Sequence, residues 1–245
     1  MEQLWITALL NRLLGGPVNA LLQKLPPAFH PADPNAPISN AVAVEILVIA
    51  ILFLIFIWIR SRLSVEKPGG SQHLAETIHE FITNQSEGII GHHSEKFTPF
   101  LASLFLFIML MNLIGLIPGF ESPTVNPAVP FGCAIVAFIY YNAHGIKKQG
   151  PLKFLAHFAG PVWWMAPVIF PIEIISTLAR VMSLTIRLYA NIFAGDMVTA
   201  AFFTLIPIGI PIIFLLLHVG VSFLQAYIFT LLVTIYLSGV VAEEH

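Results

Sequence analysis

Charged residues are scarce in this chain. Only 10% of its 245 residues are Asp, Glu, Lys or Arg, whereas a typical soluble domain carries about 25%. Hydrophobic residues make up 57% of the sequence, and a water-soluble globule of this size needs a more polar surface. The composition therefore excludes a soluble enzyme, a nucleic-acid-binding protein and a disordered chain. It predicts a polytopic membrane protein in contact with a lipid bilayer.

The common motifs for bound nucleotides and metals are also missing. Cys133 is the only cysteine, which excludes an internal disulfide. No GxxxxGK[ST] phosphate-binding loop and no HExxH metal motif occurs. His92 and His93 are adjacent but lack partners at metal-ligand spacing. We therefore predict no nucleotide, no cofactor and no metal site.

The hydrophobic residues form about five candidate membrane helices, since a spanning helix needs about 20 mostly apolar residues. We predict an all-α fold with this order of segments: 1–40, a surface segment and linker; 41–60, the first membrane helix; 61–96, a loop with an amphipathic helix; 97–141, the second and third membrane helices as a hairpin; 142–161, a second loop; and 162–245, two long helices.

The two long helices are predicted over about 168–205 and 212–241, with a turn from Pro207 to Pro211 between them. At 1.5 Å per residue they are about 55 and 45 Å long. The hydrocarbon core of a bilayer is about 30 Å thick. We therefore expect a long, strongly tilted hairpin.

The basic residues predict the orientation of the chain in the membrane. They concentrate in the two loops that five spans place on one side of the bilayer, and by the positive-inside rule that side is cytoplasmic. The N-terminus is then outside and the C-terminus is cytoplasmic. A bacterial plasma (inner) membrane is the expected location. The residues concerned are Arg60, Arg62, Lys67, Lys96, Lys147, Lys148 and Lys153.

The first long helix carries a narrow polar stripe. At about 100° per residue, five polar residues fall within about 40° of Arg187, so six polar residues share one stripe over five helical turns. Two arginines in one membrane segment are costly, and buried charge in a span usually marks function. Asp196 lies about 180° from Arg187, so either the helix deforms there or Asp196 faces another partner. The stripe consists of Glu173, Ser176, Arg180, Ser183, Arg187 and Asn191.

The second long helix carries a thinner stripe, which includes His218, Ser222, Gln225 and Tyr236. Histidine is the side chain that ordinarily changes charge near neutral pH, and His218 is the only histidine in either long helix. In an antiparallel hairpin, Asp196 and His218 lie at similar depths. An Asp–His pair is therefore geometrically plausible.

Structural interpretations compete with functional ones for several polar residues. A single polar residue in a span often only joins helices, which applies to Ser103, Asn112 and Ser222. Arg180 lies near the end of its helix and could extend its charge to the membrane surface. Arg187 lies about midway along its helix and stays charged at any physiological pH. A purely structural role therefore fits Arg187 poorly.

Several motifs resemble those of the subunit a family of F-type rotary ATP synthases. The run SLTIRLYANIFAGDM at 183–197 is the most specific of them. The others are MNLIGLIP at 111–118, GIKKQGPLKFLAHFAGP at 145–161, PIEIIS at 171–176 and QAYIFTLL at 225–232. The resemblance covers roughly residues 95–241.

This resemblance implies a stator channel subunit that faces the c ring and binds b-type stalk subunits. Arg187 would face the ring and be essential for ion translocation. Two offset half-channels would carry protons to and from the ring carboxylates, and ATP chemistry would belong to other subunits. The half-channel open to the outside would contain Asn191, Asp196, His218 and Gln225. The cytoplasmic half-channel would contain Glu173, with Ser176 nearby.

The family often has another combination of acid and histidine at positions 196 and 218. Because Asp is one methylene shorter than Glu, a water could bridge Asp196 and His218.

Two other functions remain to be distinguished. An autonomous secondary transporter would also carry buried charges, but such folds usually show repeated halves with interrupted helices, which are not found. An intramembrane metalloenzyme would need paired histidines, and none occurs at ligand spacing. A purely structural scaffold does not explain Arg187.

Overall fold

Seven α-helices form in the part of the chain that the computed structural model describes, which contains no strand. The described residues are 4–24, 26, 30–31, 33, 36–64, 68–91, 94–117, 119–150, 165–205 and 210–241. The prediction of an all-α fold is confirmed. The helices are α1 (Trp5–Leu22), α2 (Asn40–Ser61), α3 (Gly70–Ile90), α4 (Thr98–Ile114), α5 (Ala128–Gln149), α6 (Ala166–Leu205) and α7 (Ile210–Val241).

Helices α2, α5, α6 and α7 are long and apolar enough to cross a membrane. Helix α4 is apolar and has 17 residues, which is at the short end of the range for a span, about 17–25 residues. The chain is therefore a multi-pass membrane protein, as its composition predicts. Helix α6 has 40 residues and α7 has 32, so both are longer than a bilayer core needs.

Helix α5 continues to Gln149, beyond the predicted boundary at residue 141. Lys147 and Lys148 therefore lie in its last turn and not in the loop that the sequence pattern predicts. The helix can include them because cations are favourable at a helix C-terminus.

Helix α7 forms the centre of the bundle and packs against α3, α4, α5 and α6. Its core-facing residues Ala226, Phe229, Val233 and Leu237 are completely buried. Helix α2 packs against α1 and α4 at the edge of the bundle and exposes a large apolar surface. A helix that is apolar on its outer side is typical of contact with lipid.

One end of the bundle, which we call the turn end, contains the connection from α4 to α5. There Gly115 lies against Ser122, and a Cβ atom on Gly115 would stand 2.6 Å from Ser122 Cβ and 2.8 Å from its backbone nitrogen. Only glycine allows this close approach of two chain segments.

The opposite end, which we call the lysine end, ties the last helix to two others. Lys148 Nζ donates to the carbonyl of Val241, and Gln149 Nε2 donates to the carbonyl of Val240 at 3.0 Å. Ser238 Oγ donates to the carbonyl of Ile89 at 2.9 Å. These bonds satisfy carbonyls in the last turns of α3 and α7, which have no partner within their own helices.

Candidate functional site

The polar stripe of α6 lies along the edge of the face that packs into the bundle. At about 100° per residue, the buried face is centred roughly 100° from Arg187. The opposite side of α6 is apolar and exposed, with Ile172, Ile186 and Met197 at 58%, 54% and 59% exposure. The stripe therefore separates the bundle interior from an apolar surface. The buried residues are Thr177, Val181, Leu184, Thr185, Leu188 and Ile192.

Arg187 is half-buried on this edge, about midway along α6. Its Nη2 atom donates to Ser183 Oγ at 3.4 Å, one helical turn away. No carboxylate among the described residues lies within ion-pair distance of it. Since a guanidinium keeps its charge, Arg187 presents a fixed positive charge at the edge of the bundle.

Asn191 lies one turn beyond Arg187 and joins α6 to α7. Its Nδ2 atom donates to Gln225 Oε1 at 2.7 Å. Gln225 is 1% exposed, and its Nε2 atom has no protein partner in the described part of the chain, nor has the buried Ser222 Oγ. Buried polar groups without protein partners are typical sites for bound water.

Asp196 and His218 form a second contact between α6 and α7, with 3.6 Å between Asp196 Oδ1 and His218 Nδ1. That separation is longer than a hydrogen bond. The His218 side chain is 4% exposed and that of Asp196 is 39% exposed. The predicted pair is therefore adjacent without direct hydrogen bonding.

The sequence leaves two explanations for Asp196, a deformed helix or a second partner, and the structure shows the second partner. Helix α6 is continuous through residue 196, so no break in the helix is needed. Because α7 packs roughly 100° from Arg187, Asn191 and Asp196 lie on the two sides of that contact, and both reach α7. Gly195 lies between them, where a Cβ atom would stand only 3.0 Å from His218 Nδ1.

Two cavities open beside α6. The first, about 280 Å³ in volume, is on the turn-end half of the helix and is lined by Asn191, Gly195, Thr199 and His218 together with apolar residues. The second, about 320 Å³, is on the lysine-end half and is lined by Glu173, Arg180 and Tyr236 among others. We call them the histidine cavity and the tyrosine cavity.

The tyrosine cavity contains an ion pair. Glu173 Oε1 lies 3.6 Å from Arg180 Nη2, and the Arg180 guanidinium stands 5.5 Å from the centre of the Tyr236 ring. Arg180 thus has two partners within the protein, which favours a role beyond extending its charge to the membrane surface. Ser176 is half-buried nearby but does not line the cavity.

Arg187 lines neither cavity. It lies seven residues from Arg180 and four from Asn191, which is about 10 Å and 6 Å along the helix. The two cavities are therefore on opposite sides of Arg187 along the axis of α6.

A buried polar cluster at the turn end was not predicted. Ser122 Oγ donates to the Met111 carbonyl at 3.0 Å and lies 2.6 Å from Thr124 Oγ1, which donates to Asn112 Oδ1 at 2.9 Å. The sequence pattern indicates for Asn112 only a residue that joins helices, and it gives no role to Ser122 or Thr124. An amide in an apolar span followed by two hydroxyls after the turn is the signal that was present.

Comparison with known proteins decides the family. The family model described as ATP synthase A chain matches residues 42–238. The chain belongs to this family. It is 54% identical over 245 residues to ATP synthase subunit a of Koribacter versatilis, which covers 100% of this chain and 99% of that protein. It is also 49% identical over 209 residues to ATP synthase subunit a of Solibacter usitatus, covering 85% of this chain and 90% of the relative.

The match to the ATP synthase A chain family spans both polar stripes, from Glu173 on α6 to Tyr236 on α7. The resemblance inferred from the motifs is therefore confirmed. No group of three or more potential metal ligands occurs among the described residues. His92 and His93 lie outside the described residues.

Proposed function

We propose that this chain is the stator channel subunit of an F-type ATP synthase. It forms two offset half-channels that carry protons to and from the carboxylates of a c ring, and so couples proton flow to rotation and ATP synthesis. The chain itself catalyses no reaction and needs no cofactor. The observation that carries the proposal is the position of Arg187 between two cavities on one helix, each of which contains polar side chains.

The turn end faces the outside in this proposal. The support is the distribution of basic residues. Arg60 lies in the last turn of α2, and Lys147 and Lys148 lie in the last turn of α5, all at the end of the bundle opposite the turn end. The positive-inside rule assigns such an end to the cytoplasm of a bacterial inner membrane. The N-terminus is then outside and the C-terminus is cytoplasmic.

Protons enter from the outside through the histidine cavity. Asp196 and His218 can each take up and release a proton, and Asn191 and Gln225 continue the polar path towards Arg187. The contact of 3.6 Å between Asp196 and His218 leaves their exchange to a bridging water. The proton then neutralises a rotor carboxylate, which can turn into lipid at low cost once it is uncharged.

The exposed apolar side of α6 is the surface that meets the c ring. Ile172, Ile186 and Met197 are exposed there, on the side of the stripe that faces away from the bundle. A fixed positive charge favours the ionised form of a nearby carboxylate, so Arg187 promotes release of the proton to the exit path. The same charge opposes direct passage of a proton between the two cavities.

Protons leave through the tyrosine cavity, where Glu173 accepts them and Ser176 lies close by. Each elementary charge that crosses the membrane provides about 2.3 kcal/mol per 100 mV. The b-type stalk subunits hold the chain still while the ring turns. Lipid surrounds the remaining apolar faces.

The test is ATP-driven acidification of vesicles that contain the whole complex. We expect Arg187→Ala to abolish pumping while the c ring still co-purifies, because the variant removes the fixed charge and leaves the exposed apolar side of α6 in place. Arg60→Ala is the matched control, since Arg60 is exposed at the end of α2. Persistent pumping by Arg187→Ala, or proton transport by the purified single chain, would instead favour an autonomous secondary transporter.

A further inference from the structure

A third cavity lies at the turn end, outside the two that border the stripe on α6. It has a volume of about 480 Å³ and is formed where the starts of α1 and α2 meet the connection from α4 to α5. Its polar lining residues are Ser39, Asn40, Glu121, Ser122 and Asn126, and among the described residues Glu121 is the one charged residue that lines it. We call it the entrance cavity.

Polar groups lead from the entrance cavity into the bundle. Ser122 lines the cavity and is also the first member of the buried cluster with Thr124 and Asn112. Asn112 is completely buried, and its Nδ2 atom has no partner among the described residues. The cluster therefore offers both a donor and hydroxyl groups between the cavity and the core.

Glu121 also lies close to the proposed proton path. The 3₁₀ turn Pro123–Val125, which follows Glu121, packs against α6. The charge of Glu121 is close enough to interact with the carboxyl group of Asp196, which in turn contacts His218. Asp196 thus interacts with an acid on the connection from α4 to α5 and contacts a histidine on α7.

The carboxylate of Glu121 is accessible to ions from outside the protein. The residue is exposed, and in the part of the chain that the structure describes its carboxylate makes no hydrogen bond and no ion pair. A side chain with no fold contacts of this kind can change without a large effect on stability. Its charge is then the property that matters at this position.

We propose that Glu121 is a positioning residue at the mouth of the outer half-channel, where its carboxylate concentrates protons in the entrance cavity and so supplies Asp196. This inference rests on the proposed function. A charge at the opening of a cleft raises the local concentration of counter-ions and the rate at which they enter. The effect is electrostatic and so must weaken as ionic strength rises.

Proton flux into liposomes that contain the complete complex tests the proposal, with the outer side at low salt and mildly alkaline pH. We expect Glu121→Gln to lower the flux about fivefold, the factor that one unit charge contributes at contact distance in water. Glu121→Asp should keep most of the wild-type flux. At about 1 M salt, where the screening length is about 3 Å, the difference between Glu121→Gln and wild type should disappear.

A second variant separates charge from shape. Glu121→Cys, made together with Cys133→Ala, is treated with a sulfonate or a trimethylammonium methanethiosulfonate reagent of similar size. The sulfonate should restore flux, and the cationic reagent should lower it further. Equal flux after both reagents, or a defect in Glu121→Gln that persists at high salt, would overturn the proposal.

Two controls complete the design. Glu80 is an exposed acid on α3, away from the entrance cavity. Complexes with Glu80→Cys are treated with the same reagents, and their proton flux should not depend on the charge of the reagent. Arg187→Ala in the same liposomes separates the role of Glu121 from the function of the whole chain. If Arg187→Ala blocks transport while the Glu121 variants behave as wild type, only the role of Glu121 fails. If Arg187→Ala still supports coupled transport, the proposed function itself fails.

Discussion

Asp196 and His218 face each other from α6 and α7, with 3.6 Å between the carboxylate oxygen and Nδ1. Histidine is almost buried here while the acid is partly exposed. The pair therefore joins the solvent side of the proposed outer half-channel to its interior. Its two members should depend on each other.

An exchange of the two residues tests their coupling. We expect Asp196→His and His218→Asp each to slow proton transport roughly tenfold, and the double exchange to recover more than the sum of the single effects allows, with a coupling of about 1 kcal/mol. ATP-driven pumping by the four proteins provides the measurement. Strict additivity would mean that the two side chains act independently.

The pH dependence of transport tests His218 alone. Histidine ordinarily changes charge between about pH 5 and 8, and the acid in contact with it is Asp196. We expect His218→Gln to slow proton flux and to flatten its pH profile over that range. A variant with the wild-type profile would remove His218 from the proton path.

Gly195 gives a steric test of the same contact. A Cβ atom there would stand 3.0 Å from His218 Nδ1 and 3.1 Å from Cε1, so Gly195→Ala must displace the ring. We expect at least severalfold slower transport with normal assembly, because alanine suits a helix better than glycine by about 1 kcal/mol. Gly132→Ala is the matched control, since nothing lies within 4 Å of a Cβ atom at that position. Equal transport by both variants would contradict a role for the position of the His218 imidazole.

The helices could be predicted from the sequence because each is a long apolar run. The two long helices were predicted within a few residues of Ala166–Leu205 and Ile210–Val241. The turn from Pro207 to Pro211 cannot be compared in the same way, because residues 206–209 lie outside the described residues.

The site was harder to predict because it depends on which face of α6 meets α7. Helical periodicity groups the polar residues around Arg187, but it does not give the direction of the neighbouring helix. Asp196 therefore looked misplaced, although it lies beside His218. The contacts of Ser122 and Thr124 with residues of α4 depend on how the connection folds back past Gly115, and local pattern does not specify that fold.

Arg180 gives a prediction for the proposed cytoplasmic half-channel. Its pair with Glu173 is partly exposed, with 36% and 33% of the two side chains accessible, so its contribution to stability is about 0–1 kcal/mol. We expect Arg180→Met to leave assembly unchanged and to slow proton release, while Arg180→Lys keeps part of the rate. Tyr236→Phe, which retains the ring under the guanidinium, is the control. A drop in assembled complex for Arg180→Met would assign it a structural role.

Gly115 gives a prediction about folding that is independent of proton transport. Its Cα stands so close to Ser122 that an added methyl group would overlap backbone atoms, at 2.8 Å from the nitrogen and 2.9 Å from Cα. Because backbone cannot move aside as a flexible side chain can, we expect Gly115→Ala to destabilise the turn end by about 1–3 kcal/mol. The measurement is thermal unfolding of the detergent-solubilised complex, compared with Gly132→Ala. The buried cluster of Ser122, Thr124 and Asn112 would be displaced with the connection. Unchanged thermal stability of Gly115→Ala would mean that the connection from α4 to α5 is loosely held.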